Sequence, residues 1–274
     1  MKSELNFHIK YQNGSVVDMH DDLGLWVNSF RISSPDAKRT FKEVPGMDGA
    51  YLSNSKMGVR KVTISFEVET DSVIELDDLK HTIFGVFYSK EPYRIIRDIK
   101  PDWEIYAVQD GEYDFDIITS SDGEFTIELS MPDPYIYSVE KTQIIDTAGV
   151  SSVTLPSVFS EQMMANATNT DSPFMAEITF KAAASEYVLK HVQSGKYIRL
   201  LFDFAVNDKV TIYSNWKNEN GQKVRKILLN GNRKMTMLDI PNSDFFYLQP
   251  GENAFEVPPI DQVETKLIFR ERWI

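Results

Sequence analysis

From Val62 to Val68 the chain reads VTISFEV, with Val62, Ile64, Phe66 and Val68 alternating with Thr63, Ser65 and Glu67. A period of two predicts a strand with one buried face. Leu5, Phe7 and Ile9 alternate in the same way near the start, as do Phe115 and Ile117, and then Phe125, Ile127 and Leu129. Between the last two runs stands Asp122-Gly123, a favoured pair for a hairpin turn. One stretch has a different period. Leu76, Leu79, Ile83 and Phe87 recur at three- and four-residue steps, Ser72 and Glu75 have the spacing of a capping box, and Pro92 forbids continuation. This predicts one amphipathic helix over about residues 73 to 88, lying across a sheet.

After MPDPYIYS, residues 131 to 138, the pattern weakens, and residues 141 to 175 are rich in Ser, Thr, Ala and Asn. A domain boundary is expected near residue 140, giving domains over 1–139 and 140–274. From Ala176 strand-like runs return as AEITFKA, YIRLLFDF, KVTIYSNW and VRKILLN. Turn pairs punctuate them at Asn207-Asp208, Asn220-Gly221, Asn230-Gly231 and Pro250-Gly251. Short strands at this spacing indicate a β-sandwich or jelly roll. The chain is therefore expected to be mainly β, with a single helix in its first half.

Composition narrows the function. A formal net charge of -12 opposes a protein that wraps nucleic acid by neutralising phosphates, or one that docks on an anionic membrane. With no cysteine there is no disulfide framework, thiolate metal site or cysteine nucleophile. The opening MKSELNFHIKYQ lacks the apolar core of a signal peptide, and no apolar run approaches the roughly 20 residues of a membrane helix. Synthesis in the cytoplasm, with no membrane partner, is the expectation.

The search for catalysis nominates no residue, no cofactor and no metal. In DMHDD, residues 18 to 22, Asp18, His20, Asp21 and Asp22 could offer ligands to a divalent ion. The run lacks the glycine that shapes a calcium loop, so an acidic, solvated turn is the reading. His81, four residues after Asp77, suits a weak helical surface pair, and His8 falls on the polar phase of its strand. Trp216 precedes the polar run KNENGQK, and near a loop tip it could stack on a sugar or close the end of a core. A glycosidase needs two carboxylates at a set separation, and the sequence cannot nominate the pair.

One stretch asks for more than folding. EVPGMDGAYLSNSKMG, residues 43 to 58, places Pro45-Gly46 and Asp48-Gly49 directly before the strand at Val62. It reads either as a connector whose glycines supply positive φ, or as a contact between chains.

The order of parts is itself informative. A PG-x-DG loop (Pro45, Gly46, Asp48, Gly49) is followed by Tyr51 and Leu52, then Gly58 and VRKVTISFEV, then a helix with LDDLKHTIFGVF. A hairpin ends in IELSMPDPYIYS, and the second half carries FFYLQPGENAFEV and a terminal LIFRERWI. This arrangement resembles the distal tail proteins, the Dit family, of long-tailed phages infecting Gram-positive bacteria. The family often has arginine between the glycine and the acid of the loop, where this chain has Met47.

The resemblance implies a structural, non-enzymatic role as the hub of a phage baseplate. It implies an N-terminal β-barrel-like domain with a helix and an extended hairpin, six copies of which form a ring. It implies a C-terminal galectin-like sandwich that projects outward and can hold a receptor-binding protein. The ring would join the major tail tube protein to the tail-associated protein. DNA would pass through its channel without specific binding, past walls made acidic by the chain's charge. The chain would be assembled in the host cytoplasm and end at the tail tip of the virion. Pro45, Gly46, Asp48, Gly49 and Tyr51 would lie at the contact between copies. The alternatives are a carbohydrate-binding sandwich using Trp216 on cell-wall saccharide, and a glycoside hydrolase.

Overall fold

A computed structural model describes residues 2–145, 151–155, 170–217, 223–259 and 261–274. The chain divides into two compact units, Met1–Ile136 with Ile274, and Tyr137–Trp273.

The first unit is an antiparallel sheet in the order β2-β1-β7-β8-β10-β6-β3, with β9 added on β10. Its strands are β1 (Phe7–Lys10), β2 (Val16–Asp18), β3 (Trp26–Ile32), β6 (Arg60–Glu69), β7 (Tyr93–Arg97), β8 (Lys100–Gln109), β9 (Phe115–Ile117) and β10 (Asp122–Met131). A separate hairpin, β4 (Ala37–Glu43) and β5 (Ala50–Met57), stands outside this sheet. The alternation in β6 is realised: Val62, Ile64, Phe66 and Val68 are buried, and β10 faces them with Phe125, Ile127 and Leu129. Phe66 is the centre of the packing. Its ring stacks on Phe125 at 4.7 Å and meets Phe87 at 5.8 Å and Phe7 at 6.0 Å.

The helix, α1, runs Val73–Phe87 and buries Leu76, Ile83 and Phe87. Ser72 caps it, its hydroxyl accepting from the Glu75 amide at 3.3 Å. The Glu75 carboxylate reaches one residue beyond the cap and accepts from the Asp71 amide at 3.0 Å. Two local expectations change. Asp122-Gly123 is not the hairpin turn: both residues are already paired, with Glu69 and Val68. The reversal lies just before them, where the Thr119 hydroxyl accepts from the Asp122 amide at 3.1 Å and donates to its carboxylate at 2.6 Å. Ile117, expected to be buried, is 62% exposed, because β9 is a three-residue edge strand paired with β10 alone.

The second unit is a two-sheet antiparallel sandwich. One sheet has the order β12-β21-β14-β17-β18-β19 and the other β13-β20-β15-β16. In chain order, after the short β11 (Ile136–Ser138), the strands are β12 (Lys141–Ile145), β13 (Ser151–Leu155), β14 (Phe174–Phe180), β15 (Ala184–His191), β16 (Tyr197–Phe204), β17 (Lys209–Lys217), β18 (Lys223–Leu229), β19 (Asn232–Arg233), β20 (Gly251–Glu256), β21 (Val263–Phe269) and β22 (Arg272–Trp273). The buried rows come from both sheets, among them Phe174, Ile178 and Phe180 from one and Tyr187, Leu189 and Phe255 from the other. Asn230-Gly231 makes the two-residue turn expected of it. Its φ angles are +48° and +82°, and Leu229 and Asn232 pair across it, which is the type I′ signature. The turn pair Asn220-Gly221 lies outside the described residues. The last long strand, β21, pairs with β12 and β14 within this unit.

His191 is wholly buried in this core. Asn253 Oδ1 accepts from the Gln249 amide at 2.7 Å, which fixes that side chain's orientation. His191 Nε2, 3.1 Å from the same oxygen, must therefore carry the proton, and Nδ1 accepts from the Ser194 hydroxyl at 2.7 Å. Burial holds the imidazole below its ordinary 6.5, with the Asn253 bond opposing in part. The unfolded chain thus takes up the proton first as pH falls, and the sandwich loses stability from about pH 6.5 downward until the folded imidazole is also charged. Urea midpoints of the second unit should decline through that window, and His191→Gln should flatten the decline.

Candidate functional site

The stretch that asked for more than folding is an isolated β-hairpin. The β4 and β5 strands pair from Ala37↔Met57 to Glu43↔Ala50, with a bulge beside Thr40 and Phe41. All residues of both strands are exposed, and the hairpin forms a two-stranded sheet of its own. A lone two-stranded hairpin is marginal in water, because it has no second layer against which to bury a face. This one has an apolar face to bury. Ala37, Met57, Phe41, Leu52 and Ala50 lie on one side, with Arg39, Ser55 and Glu43 among them, and Lys38, Lys56, Thr40, Asn54, Lys42 and Tyr51 lie on the other. Phe41 is 61% exposed and its cross-strand partner Leu52 51%.

The tip explains the turn signals. The Met47 amide donates to the Val44 carbonyl at 3.1 Å, and Gly46 has φ +84°. Proline second and a positive-φ glycine third define a type II turn. Gly49 follows with φ +83° and leads into β5. Pro45, Gly46 and Asp48 therefore shape the tip, and Tyr51, 48% exposed, stands on the basic side of the strand that leaves it. At the root, Gly58 donates to the Asp36 carbonyl at 2.6 Å. Arg60 ties the same corner to the sheet through the carbonyls of Ser33 and Pro134.

A Cβ on Gly46 or Gly49 would meet no atom within 4 Å. The penalty of Gly46→Ala or Gly49→Ala is thus conformational, about 1–2 kcal/mol for a left-handed L-residue. Because the hairpin lies outside the core, thermal unfolding should hardly move. Local opening of the hairpin, read by amide hydrogen exchange in β4 and β5, should become more frequent by roughly tenfold in each variant.

Trp216 stands next to the end of its strand, near the loop as its place in the sequence suggests, and it is buried there. It lies within β17, paired with Val224, and its side chain is 8% exposed. A register shift between Tyr213 and Trp216, with Asn215 at φ +57°, turns Ser214, Asn215 and Trp216 all inward. Little ring is left for a sugar to cover.

The acidic run near the start folds back on itself. The Asp18 carboxylate accepts from the amides of His20 and Asp21, both at 2.9 Å, from Asn6, and from Lys2 Nζ at 2.9 Å. Burial pushes the Asp18 carboxyl up, but these bonds outweigh it and hold it below the usual range. His8, Asp18 and Asp98 approach closely enough to share an ion. The Lys2 ammonium already bridges Asp18 and Asp98, at 2.9 and 3.3 Å, so the cluster has its counter-charge. His81 lies 4.0 Å from Asp77 on an open helix face, as its spacing suggests.

Comparison with known proteins gives two family matches. Residues 22–131 match the phage tail protein RIFT-related domain, and residues 167–273 match the C-terminal domain of the siphovirus-type tail component. No curated protein matches the chain. Among solved structures, the Dit protein of phage SPP1, described as a hub adsorption apparatus of phages infecting Gram-positive bacteria, aligns with a TM-score of 0.75. It is 16% identical, and the alignment covers 98% of this chain and 99% of that one. A chain of the phage P2 baseplate in its activated, calcium-bound conformation is 12% identical over 96% of this chain and 97% of its own, with a TM-score of 0.48, too low to carry weight. The SPP1 likeness extends along both units, and the two family matches fall one in each and between them span most of the sequence. The chain belongs to the Dit family of siphophage tail proteins.

Proposed function

We propose that this chain is the ring-forming hub at the tip of a phage tail, acting by assembly and without catalysis. Six copies close head to tail through their first units, and the β4–β5 hairpin of each, including Pro45, Gly46, Asp48, Gly49 and Tyr51, is the contact element. The ring joins the tail tube protein above to the tail-associated protein below and leaves a channel for DNA. The second unit, a sandwich standing as its own compact body, carries a receptor-binding protein.

The observation that supports this most is the hairpin. Two strands with an apolar face, exposed along their whole length, have no cover in their own unit. Such a face is explained by a second molecule. A cyclic assembly with a heterologous contact supplies one, because each copy both gives and receives. The location is tested by gold-labelled antibody against the chain on whole particles. Label confined to the tail end away from the capsid is expected, whereas label along the tube or on the capsid would contradict the reading.

A further inference from the structure

A head-to-tail ring needs a receiving surface unlike the giving one. The hairpin specifies what that surface should offer: apolar residues for Phe41, Leu52 and Met57, and negative charge for the surrounding cations. Residues 37–57 carry Lys38, Arg39, Lys42 and Lys56 against Glu43 and Asp48, a balance of +2 in a chain of -12. Among the described residues none of those four cations has an ion-pair partner.

One surface of the first unit has the complementary character. At the entrance to α1, Val73 is 52% and Ile74 71% exposed, and at the β9–β10 turn Ile117 is 62% and Ile118 59% exposed. These two places are neighbours. Gly123 pairs with Ile117 on one side and with Val68 on the other, and a Cβ on it would lie 3.6 Å from Leu76 Cδ1, in the first turns of the helix. Cross-strand partners point to the same face, so Ile117 stands on the side that the helix covers. The Thr70 amide donates to the Ser121 carbonyl at 2.8 Å and ties the helix entrance to the turn.

The charge around this patch is of one sign. Residues 69–78 contain five acids and no Lys or Arg, and residues 116–124 contain three acids and no Lys or Arg. Glu69 lies directly opposite Asp122, and Glu67 opposite Glu124, which is itself opposite Asp116; alternating with buried Phe66 and Val68, these rows stand on the sheet face away from the helix, and the acids at the helix entrance itself are Asp71 and Glu75. Like charges facing across strands destabilise a sheet. Among the described residues, the α1 cation Lys80 is already paired, with Asp114.

We propose that the β4–β5 hairpin of one copy docks on the α1 entrance and β9–β10 turn of the next. The Phe41–Leu52 face covers Val73, Ile74 and Ile117, Arg39 on that same side of the hairpin approaches Asp71 and Glu75 at the helix entrance, and Lys38, Lys42 and Lys56 on its other side add to the attraction at longer range. This rests on the ring reading above and supplies the other half of its contact. The match is apolar to apolar at the contact, with a net basic element meeting a net acidic region, and opposite net charge of this kind steers association.

The test uses two variants of the full chain and their mixture, followed by sedimentation velocity and native mass spectrometry. The hairpin variant is Phe41→Asp with Leu52→Asp, and the patch variant is Ile74→Asp with Ile117→Asp. Every substituted residue is exposed, and an acid in the first turn of a helix is favourable, so both variants should unfold at the wild-type temperature. Each alone should stay monomeric. An equal mixture should give a dimer of one copy each and nothing larger. In that dimer the intact hairpin of the patch variant engages the intact patch of the hairpin variant, leaving two damaged surfaces outward. A monomer-only mixture, or a patch variant that assembles like wild type beside a monomeric hairpin variant, overturns the receiving surface and leaves the ring reading standing. A hairpin variant that assembles like wild type, or a wild-type chain that never assembles, overturns both. As a check free of the apolar residues, Lys38→Glu with Lys56→Glu should slow association and reduce its sensitivity to salt; unchanged rates would count against the acidic region.

Discussion

Replacing Phe41 and Leu52 together with aspartate is expected to abolish assembly while leaving the monomer folded. The two side chains are cross-strand partners on one side of a hairpin whose strand residues are all exposed. Surface changes away from a core usually move stability by no more than about 0.5 kcal/mol. The folded monomer therefore has little to lose. The contact proposed between copies has much more. Burying a Phe or Leu side chain is worth about 1.5–3 kcal/mol each, so losing both removes about 4 kcal/mol from every contact. That weakens each by roughly a thousandfold, before counting the penalty of burying two new carboxylates. Sedimentation should show a monomer with wild-type circular dichroism and melting. Unchanged assembly would remove the hairpin from the contact.

The largest effect on stability is expected at Asn253. Its side chain is wholly buried and does the work of several residues. Its oxygen accepts from the Gln249 amide and from His191 Nε2, and its amide donates to the carbonyls of Val153, Gln249 and Gly251. Asn253→Ala leaves at least the Gln249 amide and the imidazole N–H buried without partners. Each such group costs about 1–3 kcal/mol, so a loss of about 3–5 kcal/mol is expected for the second unit. Asn253→Asp should be worse, because a carboxylate would face three carbonyl oxygens in place of an N–H donor. Urea unfolding followed by a probe in the second unit measures both variants. A loss under about 1 kcal/mol for Asn253→Ala would show that the network is not what holds the Gln249–Asn253 turn.

How much of this was legible depends on how local each determinant is. The helix was readable because Ser72, Glu75 and the Leu76–Ile83–Phe87 stripe lie within one stretch of chain. The Asn230-Gly231 turn was readable because its positive φ angles need those residue types. The Dit resemblance was readable from the order of such motifs. The β4–β5 hairpin was taken for a loop for a physical reason: with no face buried in its own unit, KRTFKE and YLSNSKM show no period-two burial signal. The resemblance implied an extended hairpin in the first domain without placing it on these residues. Trp216 was legible as a residue beside a loop, and its burial follows the alternation of Val210, Ile212 and Ser214; what the sequence hid is the bulge that turns Asn215 inward beside it. His191 showed no partner in sequence because Asn253 is 62 residues away, and Val153 lies 100 residues from the Asn253 side chain that holds it. PGEN could be recognised as a motif, but what its asparagine does depends on contacts that folding alone creates.

The receiving patch has the same character. Val73, Ile74 and Ile117 are unremarkable apart, and come together only because β9, β10 and β6 lie side by side under the helix entrance. The acidic rows across those strands likewise depend on register. Net charge alone signalled an acidic protein, without showing that the positive residues of the hairpin stand apart from the negative residues it would meet.

The central claim, that this chain closes into a ring of six, is tested most directly by the mass of the purified full-length protein in solution over a wide concentration range. The account predicts a discrete species of six chain masses that grows with concentration at the expense of the monomer. A species of one chain mass at every concentration, or an open ladder of sizes that never closes, would contradict it.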